Sequence, residues 1–144
     1  MKFKDAAQVK KWLRLLPVAK KEMKAKIELY NDLITDFTRV DLSDKALEER
    51  TGNTYSGILS NVDNYRAKIK EARDKFETMM RDWERLSQLL DSEEITVVTE
   101  KYLRGTSWTA MEFVVFYSRR QCFRILDRAA EKLVGQTVSG DGNV

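Results

Sequence analysis

The strongest constraint on this chain is an unbroken rhythm of apolar and small residues between Ile58 and Leu90. Ile58, Val62, Tyr65, Ile69, Ala72, Phe76, Met79, Trp83, Leu86 and Leu90 follow one another in alternating steps of four and three. Only an α-helix brings such positions onto one side, since a strand alternates every second residue. Arg66, Lys68, Lys70, Glu71, Arg73, Asp74, Lys75 and Glu77 fall between them and suit the solvent side. The N-terminal segment repeats the pattern through Val9, Leu13, Leu16, Lys20, Met23, Ile27, Tyr30, Ile34 and Phe37, with Lys20 the one charged interruption. Pro17 lacks an N–H and clashes with the preceding turn, so it should kink this helix or start a new one. The reading is a short helix over about 5–15 and a long one over about 17–37.

Residues 38–56 carry Gly52-Asn53 and scattered Asp, Ser and Thr. They read as a connecting loop, with a short helix opening at Ser43. Two heptad helices joined this way can close as an antiparallel hairpin over 1–90, a coiled-coil region, or equally pair with a second chain as a homodimer. One Pro and six Gly in 144 residues, with 34% charged, agree with an all-α chain of modest core. The tail 135–144, GQTVSGDGNV, lacks bulky apolar residues and is expected to fray as a flexible tail.

Charge is distributed unevenly. Residues 1–30 hold nine Lys/Arg against three Asp/Glu, 31–100 hold ten against sixteen, and 101–133 hold seven against three. Basic ends around an acidic middle suit a polyanionic partner. The chain has no His, which removes the commonest general base and the usual metal ligand. Gly52 and Gly57 have the spacing of two P-loop glycines, but Ile58 and Leu59 stand where Lys and Ser/Thr belong. No enzyme, cofactor or metal site is therefore expected. A single cysteine, Cys122, rules out an internal disulfide and suits a reducing, cytoplasmic setting. No run of apolar residues is long enough to cross a membrane, and no secretory signal is apparent.

The last part of the chain, 91–134, has a different grammar. Asp91 with Glu94 three residues on is a capping box for a helix through Ile95, Val98, Tyr102 and Leu103. Gly105 should end it. Thr106 or Ser107 can cap a second helix carrying Trp108, Met111, Val114 and Val115. Ser118 can cap a third, running to Leu133, with Cys122, Ile125, Leu126, Ala129 and Leu133 inside and Arg119, Arg120, Phe123, Arg124, Asp127 and Arg128 outside. Three short helices, the last capped and rich in Arg, are the plan of a helix-turn-helix module. A helix in the major groove presents its first turns to base edges, where Arg grips guanine O6 and N7. Arg128 and Lys132, further along, would reach only backbone phosphates or solvent.

The run YLRGTSW, Tyr102 to Trp108, followed by YSRRQCFRILDRAAEKL, Tyr117 to Leu133, resembles the C-terminal module of phage-encoded transcriptional regulators of the RinA/ArpU type. That module is similar to sigma factor region 4. The specific motifs cover 102–133, while the order of helices resembles that group over nearly the whole chain. The resemblance implies a regulator of phage or prophage genes in a bacterial host cell, bound to double-stranded DNA, with action beside RNA polymerase left open. Carried over position by position, it implies base contacts from Arg119, Arg120 and Arg124, with Phe123 touching a thymine methyl or simply packing. It implies phosphate contacts from Ser118, Arg128, Arg104 and Ser107. Two positions depart from the pattern. Glu112 stands where a small Ala is usual, and Phe116 where a turn-tolerant residue is usual. An aromatic in a left-handed turn costs about 1–2 kcal/mol, so either the turn takes another shape or the motif has drifted.

Two other functions fit the same residues. One is a helical protein-interaction adaptor in which the heptads act and the helix-turn-helix is vestigial. The other is a recognition subunit for DNA packaging, of the small-terminase kind.

Overall fold

The computed structural model describes residues 1–39 and 51–140. They form helices α1 (Ala6–Arg39), α2 (Thr51–Ser87), α3 (Ser92–Val98), α4 (Trp108–Val115) and α5 (Arg119–Leu133). A π-helical turn, Thr99–Leu103, extends α3. No strand occurs among the described residues, so the chain is all-helical there.

The break expected at Pro17 is absent, and α1 runs through it as one helix of 34 residues. The proline still removes one backbone bond, but Trp12, Leu13, Leu16 and Ala19 on either side of it are all buried. Burial of such side chains contributes about 1.5–3 kcal/mol each, which offsets a proline penalty of about 3 kcal/mol. The connector expected over 38–56 is also shorter than the composition suggested. Helix α1 continues to Arg39 and α2 begins at Thr51, so Gly52 and Asn53 are helical. Residues 40–50, with the helix expected at Ser43, lie outside the described residues.

The described chain divides into two compact units, and the division falls inside the long helices. One unit is Met1–Lys20 with Phe76–Val144, and the other is Lys21–Lys75. The first holds a single core in which Val9, Trp12, Leu13 and Leu16 of α1 meet Met79, Trp83 and Leu86 of α2 and the inner residues of α3, α4 and α5. In the second, Val62, Ile69 and Ala72 are buried, while Met23, Ile27, Tyr30 and Ile34 are only half-buried. Arg66 Nε donates to the Tyr30 hydroxyl at 2.9 Å, and Lys75 pairs with Glu22 at 3.7 Å. Partners that descend one helix as they ascend the other place the two segments antiparallel within this unit.

The segment after α5 does not fray through Gly140. Phe3 N donates to Gln136 O at 3.0 Å, Gly135 N to Phe3 O at 2.9 Å, and Val138 N to Met1 O at 2.8 Å. Val138 is buried in the core, and the Asp82 carboxylate accepts from Ser139 N at 2.8 Å and from Ser139 Oγ at 3.3 Å. One buried valine and a carboxylate reaching in from α2 hold a segment that composition alone marks as loose. Residues 141–144 lie outside the described residues.

Candidate nucleic-acid interface

Each helix of the 91–134 region begins on a side-chain cap. Asp91 Oδ1 accepts from Glu94 N at 2.9 Å, and Glu94 Oε1 accepts from Asp91 N at 2.9 Å. Ser107 Oγ accepts from Ala110 N at 3.2 Å. Ser118 Oγ accepts from Gln121 N at 3.2 Å while Gln121 Oε1 accepts from Ser118 N at 2.9 Å. These bonds satisfy amides that a helix start leaves open, each such cap contributing about 0.5–2 kcal/mol. At the end of the first helix Thr106 N donates to Glu100 O at 3.0 Å, with Gly105 at φ +71°, a conformation open to glycine and strained for other residues.

Helix α5 is amphipathic along its whole length. Cys122, Ile125, Leu126, Ala129, Ala130 and Leu133 are buried, while Arg119, Arg120, Phe123, Arg124, Asp127 and Arg128 are exposed. Burial pushes the Cys122 thiol up, with the Glu112 carboxylate adding to it. The group behaves as a small core hydrophobe, not as a reactive thiolate.

The two ends of α5 treat their cations differently. Arg128 lies against three carboxylates: Nη2 is 2.9 Å from Glu93 and 3.4 Å from Asp91, and Nε is 3.3 Å from Glu94. Lys132 pairs with Glu94 and stands 3.6 Å from Asp91. The Glu94 side chain is fully buried, so these two cations answer a charge with no access to water. Asp91 is held below the usual carboxylate range, first by the Glu94 amide and then by the two cations. Asp127 pairs with Lys10 of α1. Among the described residues the guanidinium groups of Arg119, Arg120 and Arg124 form no ion pair, unlike those of Arg104 and Arg128.

The residues expected to touch phosphate are therefore not alike. Ser107 and Ser118 use their oxygens as caps and keep a hydroxyl proton to donate. Arg104 is widely exposed and pairs with Glu100 at 3.4 Å. Arg128 is engaged in tying α5 to the start of α3. The spacing gave no sign of this, because its partners lie more than thirty residues away.

The turn between α4 and α5 retains its left-handed residue. Phe116 has φ 60° and ψ 26°, and the residue is 87% exposed. The ring avoids a clash by pointing outward, and the backbone bears the strain. Glu112 is exposed, and its carboxylate accepts from Arg119 N at 3.2 Å, at the first turn of α5. The larger side chain is thus accommodated by satisfying an amide that Ala leaves open. Phe113 and Val114 are exposed nearby, at 76% and 46%.

Phe123 is half in contact. Its ring lies 4.5 Å from that of Trp108, tilted by 39°, and its other side is open. The Lys101 ammonium sits 4.4 Å from the Trp108 ring centroid and donates to Thr106 O at 3.1 Å. Lys101 has no sequence signal of its own. Its position depends on the fold of Gly105 and Ser107, which brings Trp108 back against it.

Compared with protein-family models, curated proteins and solved structures, the chain matches none. Among the described residues no helix is long and apolar enough to cross a membrane.

Proposed function

We propose that this protein is a sequence-specific DNA-binding transcriptional regulator, with the segment from Ser118 to Leu133 entering the major groove. In this reading the 91–134 region is a helix-turn-helix module and the two long helices form a hairpin that carries it. The observation that supports it is the division of cations along α5. The side chains of Arg119, Arg120 and Arg124 in the first turns are exposed and form no ion pair among the described residues, while Arg128 and Lys132 of the last turns are committed to Asp91, Glu93 and Glu94. A recognition helix offers its N-terminal residues to base edges, and the open arginines of α5 stand at that end. The resemblance of 102–133 to RinA/ArpU-type regulators adds phage or prophage promoters as the target, with RNA polymerase as a neighbour in a bacterial cytoplasm. The heptad helices offer the contact for a homodimer.

Selection of bound sequences from random duplex DNA tests the reading, followed by titration of the selected site. Recovery of a defined sequence, with Arg120→Ala weakening that site far more than random duplex, is the expected result. Failure of the unaltered protein to hold any duplex at low salt would sink it.

A second reading, the protein-interaction adaptor, draws on exposed Phe113, Val114 and Phe116. Exposed apolar residues grouped in one stretch of chain suit an interaction surface, whereas scattered single ones carry no such meaning. An adaptor predicts tight association with protein and no steep loss of DNA binding as salt rises.

A further inference from the structure

Helix α1 is tied to the 91–134 region beside the core as well as through it. Val9, Trp12, Leu13 and Leu16 share one core with Cys122, Ile125, Leu126 and Ala129 of α5. Outside that core Lys10 pairs with Asp127 of α5, and Lys20 Nζ donates to Leu103 O at 3.5 Å. Asp127 is the one carboxylate between Arg119 and Arg128, and it lies on the side of α5 that carries Arg124 and Arg120. Lys10 answers that acid. Arg14 follows Lys10 by one turn on the same side of α1, and Lys11 neighbours Arg14 on the helix surface. Both Lys11 and Arg14 are exposed, and neither forms an ion pair among the described residues. The Tyr102 phenol, which burial pushes up, is a neighbour of Arg14 and stays neutral, so it cancels none of that charge. The buried residues between them, Trp12 and Leu13, fix the backbone from which both cations extend.

Cations of α1 thus stand beside the outward row of α5. A helix about 10–12 Å across nearly fills a major groove about 12 Å wide. A cation carried at its flank therefore meets the edge of the groove, where the phosphates run. We propose that Lys11 and Arg14 of α1 each hold a backbone phosphate of duplex DNA at the edge of the groove that α5 enters. The inference rests on the DNA-binding reading above. It adds contacts from outside the 91–134 region, which set register and orientation and read no base.

The test measures affinity for the selected duplex between 50 and 200 mM salt, conditions over which a lost phosphate contact shows as a shallower slope. Lys11→Gln and Arg14→Gln should each flatten the log–log slope by about 0.9. A fourfold rise in salt then costs each variant about three- to four-fold less affinity than the unaltered protein. At low salt the loss should be equal on selected and random duplex. Arg81→Gln is the control for net charge, since Arg81 is an exposed cation of α2 paired with Glu77 at 3.9 Å, and its slope should not change. Circular dichroism checks helicity, and Lys11→Ala or Arg14→Ala replaces a variant that unfolds. An unchanged slope in either folded variant, a loss confined to the selected sequence, or equal flattening by Arg81→Gln overturns this proposal alone. Absence of duplex binding by the unaltered protein overturns it together with the reading beneath it.

Discussion

The first and last turns of α5 both carry outward cations and differ in what those cations pair with. Both carry cations on the outer side and small or aliphatic residues on the inner side. The last turns face the acidic start of α3, so Arg128 and Lys132 are drawn onto Asp91, Glu93 and Glu94. At the first turns the Glu112 carboxylate is used on the Arg119 backbone amide, and among the described residues the Arg119, Arg120 and Arg124 side chains form no ion pair. An arginine on a helix is thus not a site by virtue of its spacing. What it does is set by which charges the rest of the fold brings opposite it.

Several substitutions would break or sharpen this contrast. The largest effect is expected inside the helix: Leu133→Ala should destabilise the fold by about 2–5 kcal/mol, because a fully buried leucine leaves a cavity. Urea unfolding measures it, and a loss below 1 kcal/mol would mean that the α5 core is loosely packed. Next comes Arg120→Ala, which should cost about 1–3 kcal/mol of discrimination between the selected and random duplex with an unchanged unfolding midpoint. Equal losses on both duplexes would move Arg120 from base to backbone contact. Arg128→Ala should do the reverse, lowering the unfolding midpoint while leaving discrimination intact. If it instead abolished DNA binding in a folded protein, the contrast between the two ends would collapse.

Phe116→Gly should relieve the left-handed strain. The expected gain is at most about 1–2 kcal/mol, reduced by the greater freedom of glycine in the unfolded chain. A destabilised variant would show that the exposed ring makes a contact worth more than the strain. The smallest effect concerns acid. The folded state holds the Asp91 carboxyl below its ordinary value, so its contribution to stability is present above the unfolded pKa, about 3.9. That contribution fades as pH falls through the lower folded value. Asp91→Asn should flatten the stability-against-pH curve below about pH 4. An unchanged curve would mean that the Glu94 amide, Lys132 and Arg128 together give the Asp91 carboxylate no net stabilisation.

Much of the helical layout was legible because it is written in local terms. The capping boxes Asp91–Glu94 and Ser118–Gln121 involve residues three apart. The buried stripe of α5 lies where its period puts it, and Gly105 takes the positive φ that a helix end asks for. Pro17 and Gly52-Asn53 misled, because each is a genuine local penalty. Packing around Trp12, Leu13 and Leu16 outweighs the first, and the second sits within a long helix. The site was legible only in part. Its arginines were visible, but the commitment of Arg128 and the approach of Lys101 to Trp108 were not, since both depend on contacts between separate helices.

The sequence by itself determined that the described chain is helical, where most helices begin, and which side of α5 is apolar. Those outcomes follow from backbone hydrogen bonding and a 3.6-residue period, which operate within a turn or two. Only the tertiary structure decided that 135–140 is tied to Met1–Phe3, that the core joins the start of α1 to the 91–134 region, and that α5 has one engaged end and one open end. Burial and charge pairing depend on distance in space. Residues 34 to 38 positions apart, such as Glu94 with Arg128 and Lys132, carry no local trace of meeting.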